Sequence, residues 1–251
     1  MRNILFILTV FYISTEFADN KVARIKDVDG FTYIRTGQGK DFSIVGTVDT
    51  TEFIYCEPTT KSDWVKVMTL SWGEKKQVEG YIHKSRIHLI ENIDTNEQKR
   101  LLTKILNTQK DLADKFRIAF ENKNHKAYRK AVNELESYDE LKYTPILSIL
   151  PKYFCATGDS AIIKMFFATM WADRGSANET PSFEIGKCFI CNPDLIIREL
   201  TKLKTKKEKN SIIDSIEWGL LNHYGADENG KSLNKELTSL KSKLEKQKSW
   251  P

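Results

Sequence analysis

The chain has little of what usually announces catalysis. Four histidines and four cysteines are scattered through 251 residues, and neither G-x-S-x-G nor H-E-x-x-H occurs. The strand-to-helix elbow of serine hydrolases and the paired-histidine helix of zinc proteases are therefore missing. His83, His88, His125 and His223 lack metal-ligand spacing, and no second C-x-x-C completes Cys188 and Cys191, so no metal or cofactor is expected. A C-x-x-C opening a helix after a strand, as redox chemistry would want, is also lacking. The histidines read as surface or locally hydrogen-bonded side chains. The net charge of +5 is modest and spread along the chain, which gives nucleic acid no basic stripe to follow. No fixed repeat period is present.

What the chain does have begins at its start. Met1-Arg2-Asn3 is positive, Ile4 to Ile13 is almost wholly apolar, and a polar stretch runs to Ala18. That is the layout of a secretory signal peptide over residues 1–18, with an apolar run too short for a comfortable membrane span. Glu16 fits the small-residue cleavage rule poorly, so an uncleaved anchor or a buried first strand stays open. No Cys follows the apolar run to carry a lipid. A periplasmic or secreted protein is expected, with no nucleic-acid partner and no stable membrane span after cleavage. A hydrophobic content of 40% with 29% charged residues is that of a globular protein, and the length suits two domains.

Residues 22–90 read as the first domain. Tyr33-Ile34-Arg35 and Trp64-Val65-Lys66-Val67 are short alternating β-rich runs bordered by Gly, Asp or Ser. Gly37 and Gly39 supply a reversal, Val45 to Tyr55 adds β-branched and aromatic residues, and Gly80-Tyr81-Ile82 is a last strand whose glycine suits a close backbone approach. In their order, YIRTG, DWVKV and GYIHKSRI resemble the bacterial SH3-like family. The resemblance covers about a quarter of the chain. It implies a small β-barrel of a kind found on exported proteins that touch the cell wall.

Past Ile90 the period changes. Asp94 with Glu97 three positions on marks a helix start, and Leu101, Ile105, Leu112, Phe116 and Phe120 recur at helical spacing. A domain boundary is expected near Glu91 to Asp94, with limited proteolysis cutting between Glu91 and Glu97 to release a β-rich and a helical fragment. Further helices are expected over Lys126–Ser137, Tyr143–Phe154, Ser160–Asp173, Ser182–Cys191, Asp194–Lys204 and Lys209–His223, with a last one carrying Leu233, Leu237, Leu240 and Leu244. Residues 94–251 thus form an all-α array or bundle behind the all-β module.

Gly225 to Ser232 matches the phosphate-loop pattern G-x-x-x-x-G-K-S, but helical residues precede it and Asp227 and Glu228 would put negative charge in the cradle. It reads as a turn before the last helix. Export favours a disulfide joining Cys155 to Cys188 or Cys191, with buried free thiols as the alternative. Glu179, Glu184 and Glu217 either line an acidic pocket or cap helices and pair with surface cations.

The resemblance implies a test for a cysteine peptidase that cuts wall peptides, since such modules often accompany one. The helical second half with isolated histidines does not meet it. Binding remains. Aromatic residues near barrel loops make shallow grooves for extended peptides, and Tyr33, Tyr55, Trp64, Trp72 and Tyr81 are the candidates. Trp64 and Tyr81 sit in strand patterns, where core packing competes, while Trp72 beside Gly73 reads as a loop tip. The expected protein is a non-catalytic adaptor for a peptide, cell-wall or protein ligand. The alternatives are a periplasmic immunity protein that neutralises a toxin or wall hydrolase, and an enzyme using the acidic pocket.

Overall fold

The structure, a computed structural model, describes residues 21–58, 60–71, 73, 76–172, 178–224 and 235–248. The expected signal segment, Trp72 and the 225–232 turn lie outside them.

Seven strands form one curled antiparallel sheet: β1 (Lys21–Ile25), β2 (Phe31–Arg35), β3 (Ile44–Asp49), β4 (Phe53–Glu57), β5 (Trp64–Thr69), β6 (Glu79–His83) and β7 (Ile87–Leu89), in the order β3-β2-β6-β5-β4-β1-β7. Alternation decides which side chains face in. Ile34, Val48, Ile54, Val65, Val67 and Ile82 are buried together inside the curl, and the β5–β6 register sets Val65 against Ile82 and Val67 against Gly80. Only glycine fits at position 80. A Cβ there would lie 2.6 Å from the Ile34 Cγ2 and closer still to the Arg35 carbonyl oxygen, at the point where β2 meets β6.

The same alternation gives β1 and β4 a second buried face. Ala23, Ile54 and Cys56 belong to the core inside the sheet, whereas Val22 and Phe53 belong to the core of the helices, with Tyr55 packed against it. A strand buried on both sides makes the sheet a wall common to both halves of the chain.

The segment between them is ordered. Ile90 is buried and starts a 3₁₀ turn (Ile90–Asn92). Asp94 Oδ1 then accepts hydrogen bonds from the Asn96 and Glu97 amides, both at 3.0 Å, and starts α1 (Thr95–Glu121). Gln98 Nε2 donates back to the Glu91 carbonyl at 3.3 Å. Arg24 reaches Glu97 at 3.5 Å. Lys142 donates to the Thr51 carbonyl and sets its ammonium 5.5 Å from the centre of the Phe53 ring. The segment at the expected boundary is thus followed at once by the capped start of α1.

α2 (His125–Tyr138) folds back along α1, and a π-helical segment, Asp139–Tyr143, follows. The single helix expected over Tyr143–Phe154 is instead α3 (Thr144–Leu147) and α4 (Leu150–Thr157). Each has a proline in its first turn, and Pro151 has no N–H with which to continue the earlier helix. Gly158, at φ 62°, ends α4 in the left-handed region. Then come α5 (Ser160–Ala172), α6 (Thr180–Cys191), α7 (Pro193–Leu200), α8 (Lys206–Tyr224) and α9 (Lys235–Lys248). α7 stops four residues before the expected end. α6 and α8 cross at bare backbone: a Cβ on Gly186 would lie 2.7 Å from the Gly219 carbonyl carbon.

Cys155 of α4 and Cys191 at the end of α6 are joined, with their Cα atoms 5.8 Å apart. Cys188 and Cys56 are buried free thiols. Burial holds Cys188 well above the ordinary thiol range and pushes Cys56 up to about 12.

Candidate functional site

The outer face of the curled sheet follows from the same registers. With Ile34, Ile82 and Val65 turned inward, Phe31, Tyr33 and Arg35 of β2, Tyr81 and His83 of β6, and Trp64 of β5 point outward. Trp64 lies opposite His83, and Tyr81 stands between Arg35 and Lys66.

A cleft of about 290 Å³ opens on this face, walled by Phe31, Tyr33, Trp64 and His83. Two edge-to-face pairs build the walls: Phe31 with Tyr33, and Trp64 with His83, each with ring centres 5.5 Å apart. Phe31 and Tyr33 are 39% and 42% exposed, so much of their ring surface is open to a ligand.

Polar groups fix the rim. Arg35 lies 5.9 Å from the Tyr33 ring centre and donates to the Phe42 carbonyl at 2.8 Å. Asp27, whose side chain is only 4% exposed, pairs with Arg86 and accepts from the Asp29 amide at 3.2 Å. His83 Nδ1 is engaged by Ser85 Oγ at 2.8 Å, which leaves Nε2 as its free polar atom. The Trp64 amide donates to Ser62 Oγ at 3.0 Å, and Ser62 in turn donates to Gln38, tying the loops on either side of the cleft. Lys40 and Asp29 also line the cleft, and neither has an ion-pair partner among the described residues. Arg35 likewise has no ion-pair partner among the described residues, so the site combines aromatic walls with two unpaired cations and one unpaired anion. Such a surface offers faces for stacking and charges at its rim.

Of the aromatic candidates, the structure brings Tyr33 and Trp64 together. Trp64 is half-buried in the cleft wall; its strand position packs it on the outer face, beside His83, and not in the core. Tyr81 shares that face in the neighbouring row but does not wall the cleft. Tyr55 is turned to the other side, where it packs on the helices and burial raises its phenol pKa. Phe31, His83, Arg35, Lys40, Asp29 and Arg86 complete the site. The alternation in Phe31-Thr32-Tyr33-Ile34-Arg35 puts Phe31 and Arg35 beside Tyr33, a signal already in the sequence.

The three acids have different surroundings. Glu179 is exposed just ahead of α6. Glu184 is buried; Oε1 accepts from Lys187 at 2.8 Å, Oε2 has no hydrogen-bond partner, and burial raises its pKa. Glu217 is half-buried on α8. Among the described residues no three His, Cys, Asp or Glu side chains gather into a group able to hold a metal.

Comparison of the chain with protein-family models, curated proteins and solved structures finds no match.

Proposed function

We propose that this is an extracytoplasmic, non-catalytic binding protein whose SH3-like sheet holds an extended peptide in the Tyr33–Trp64 cleft. The observation that carries the reading is the convergence of Phe31, Tyr33, Trp64 and His83 from three strands onto one open surface. Flat rings take up an extended chain at little entropy cost, and fixed charges at the rim give its polar groups a register. The three-part N-terminus and the order YIRTG, DWVKV, GYIHKSRI favour a ligand from the cell wall.

Calorimetric titration with soluble cell-wall peptide fragments tests the proposal. Wild type is expected to bind, and Trp64→Ala to weaken binding by about 1–3 kcal/mol, as loss of an aromatic anchor does. The same substitution removes a half-buried ring, so it is expected to cost less stability than the roughly 3–5 kcal/mol of a core aromatic. Equal affinity in the two proteins would remove the cleft from the binding site.

A further inference from the structure

The far end of the α1–α2 hairpin is built unlike the rest of the helical half. α1 has 27 residues, yet the last of them in the main core is Leu106. From there to Glu121 the helix runs roughly 20 Å at 1.5 Å per residue. Over that stretch it lies against α2, with Gln109 donating to Asp139 of the π-helical segment, and only Gln109, Ala113 and Ala119 are buried. The apolar spacing nonetheless continues. Phe116 and Phe120 pack with Tyr128 of α2, at ring-centre distances of 5.4 and 6.0 Å, and Phe120 is 64% exposed.

Exposed cations flank this patch along the sequence. Residues 115–130 hold six Lys or Arg and a single acid, Glu121. Arg117 is paired with Asp114 and Glu121, and Lys130 with Glu134. Lys115, Lys123, Lys126 and Arg129 have no ion-pair partner among the described residues. Lys123 stands at the turn itself, with φ 51°.

We propose that this arm docks on an anionic lipid surface, with Phe120 and its aromatic neighbours at the headgroup boundary and the unpaired cations on lipid phosphates. The charge decides the occupant: cations this dense and unneutralised call for a surface of closely spaced anions. The aromatic patch, which phosphates alone would leave in water, calls for an apolar layer just beneath them. Long lysine stems span the two by reaching up to the headgroups while the rings sit below. The attachment is peripheral, since no helix among the described residues is long and apolar enough to cross a membrane.

The test uses residues 19–251, which contain every described element and exclude the apolar run near the N-terminus. Co-sedimentation is measured with phosphatidylcholine vesicles containing about a third phosphatidylglycerol and with pure phosphatidylcholine. The arm is expected to prefer the anionic vesicles by at least about tenfold, a preference that high salt erases. Lys123→Glu with Lys126→Glu, and separately Phe120→Ser, are each expected to weaken binding by about fivefold or more with the circular dichroism spectrum unchanged, because the arm lies outside the main core. Absence of binding to anionic vesicles, an unaltered Phe120→Ser variant, or equal affinity for a short DNA duplex would each overturn the proposal.

Discussion

Single positions in this protein are governed by which side of a wall they face. Gly80 is the tightest of them, since its missing Cβ lets β2 lie against β6 and so brings Tyr33 and Arg35 into line with His83. Gly80→Ala is expected to destabilise the fold by about 1–3 kcal/mol, the usual cost of overpacking. It should also perturb Tyr33 and Trp64 resonances together in a two-dimensional spectrum. Glu184 is governed by burial. With its pKa raised in the folded state, its contribution is fully favourable below the unfolded value and is lost as pH rises through the folded one. Glu184→Gln is therefore expected to raise the thermal midpoint at pH 7, and the gain should shrink toward pH 4, where wild type takes up its proton. A variant less stable than wild type at pH 7 would mean that the Lys187 bond outweighs the desolvation.

Elements are held by their ends. The Cys155–Cys191 link fastens α4 to the end of α6 across 36 residues, and Cys56 and Cys188 are left as thiols. Denatured, unreduced protein recovered from an oxidising compartment should show two free thiols, rising to four on reduction. Reduction should cost roughly 3–4 kcal/mol for a loop of this length. How much of this was legible in the sequence follows from what local pattern can carry. Period-two runs such as Trp64 to Val67 and the Asp94 cap gave strand and helix starts within a residue or so, because hydrogen bonding and alternation are local. The break between α3 and α4 was hidden by apolar residues that suit any helix, although Pro151 marked it. Phe116 and Phe120 continue α1's apolar spacing into a stretch with no core behind it, and spacing alone cannot show where the core stops. Tyr33 and Trp64 were found as aromatics, but the cleft needed the β2–β6–β5 order, which no local pattern contains. Tyr55, a groove candidate as an aromatic, packs on the helices instead, because alternation sets the side a strand residue faces but not what covers that side.

At the scale of the molecule, β1 and β4 are buried on both faces, and Asp94 caps α1 directly after the Ile90–Asn92 turn. The sheet and the helices are accordingly expected to unfold in one transition, with strand and helix signals coincident. Limited proteolysis should spare residues 91–97, since the carbonyls of Ile90 and Glu91 face Gln98 and the Asp94 cap holds the next turn. Two separated thermal transitions, or an early cut in that segment, would show the halves to be independent. One consequence of the common wall lies far from the cleft. A ligand that binds only the folded sheet must raise the melting temperature of helices it never touches, by an amount set by its concentration over its dissociation constant. The helical ellipticity of the second half is thus a built-in gauge of occupancy in the first, and candidate ligands can be ranked by melting the native protein without a label.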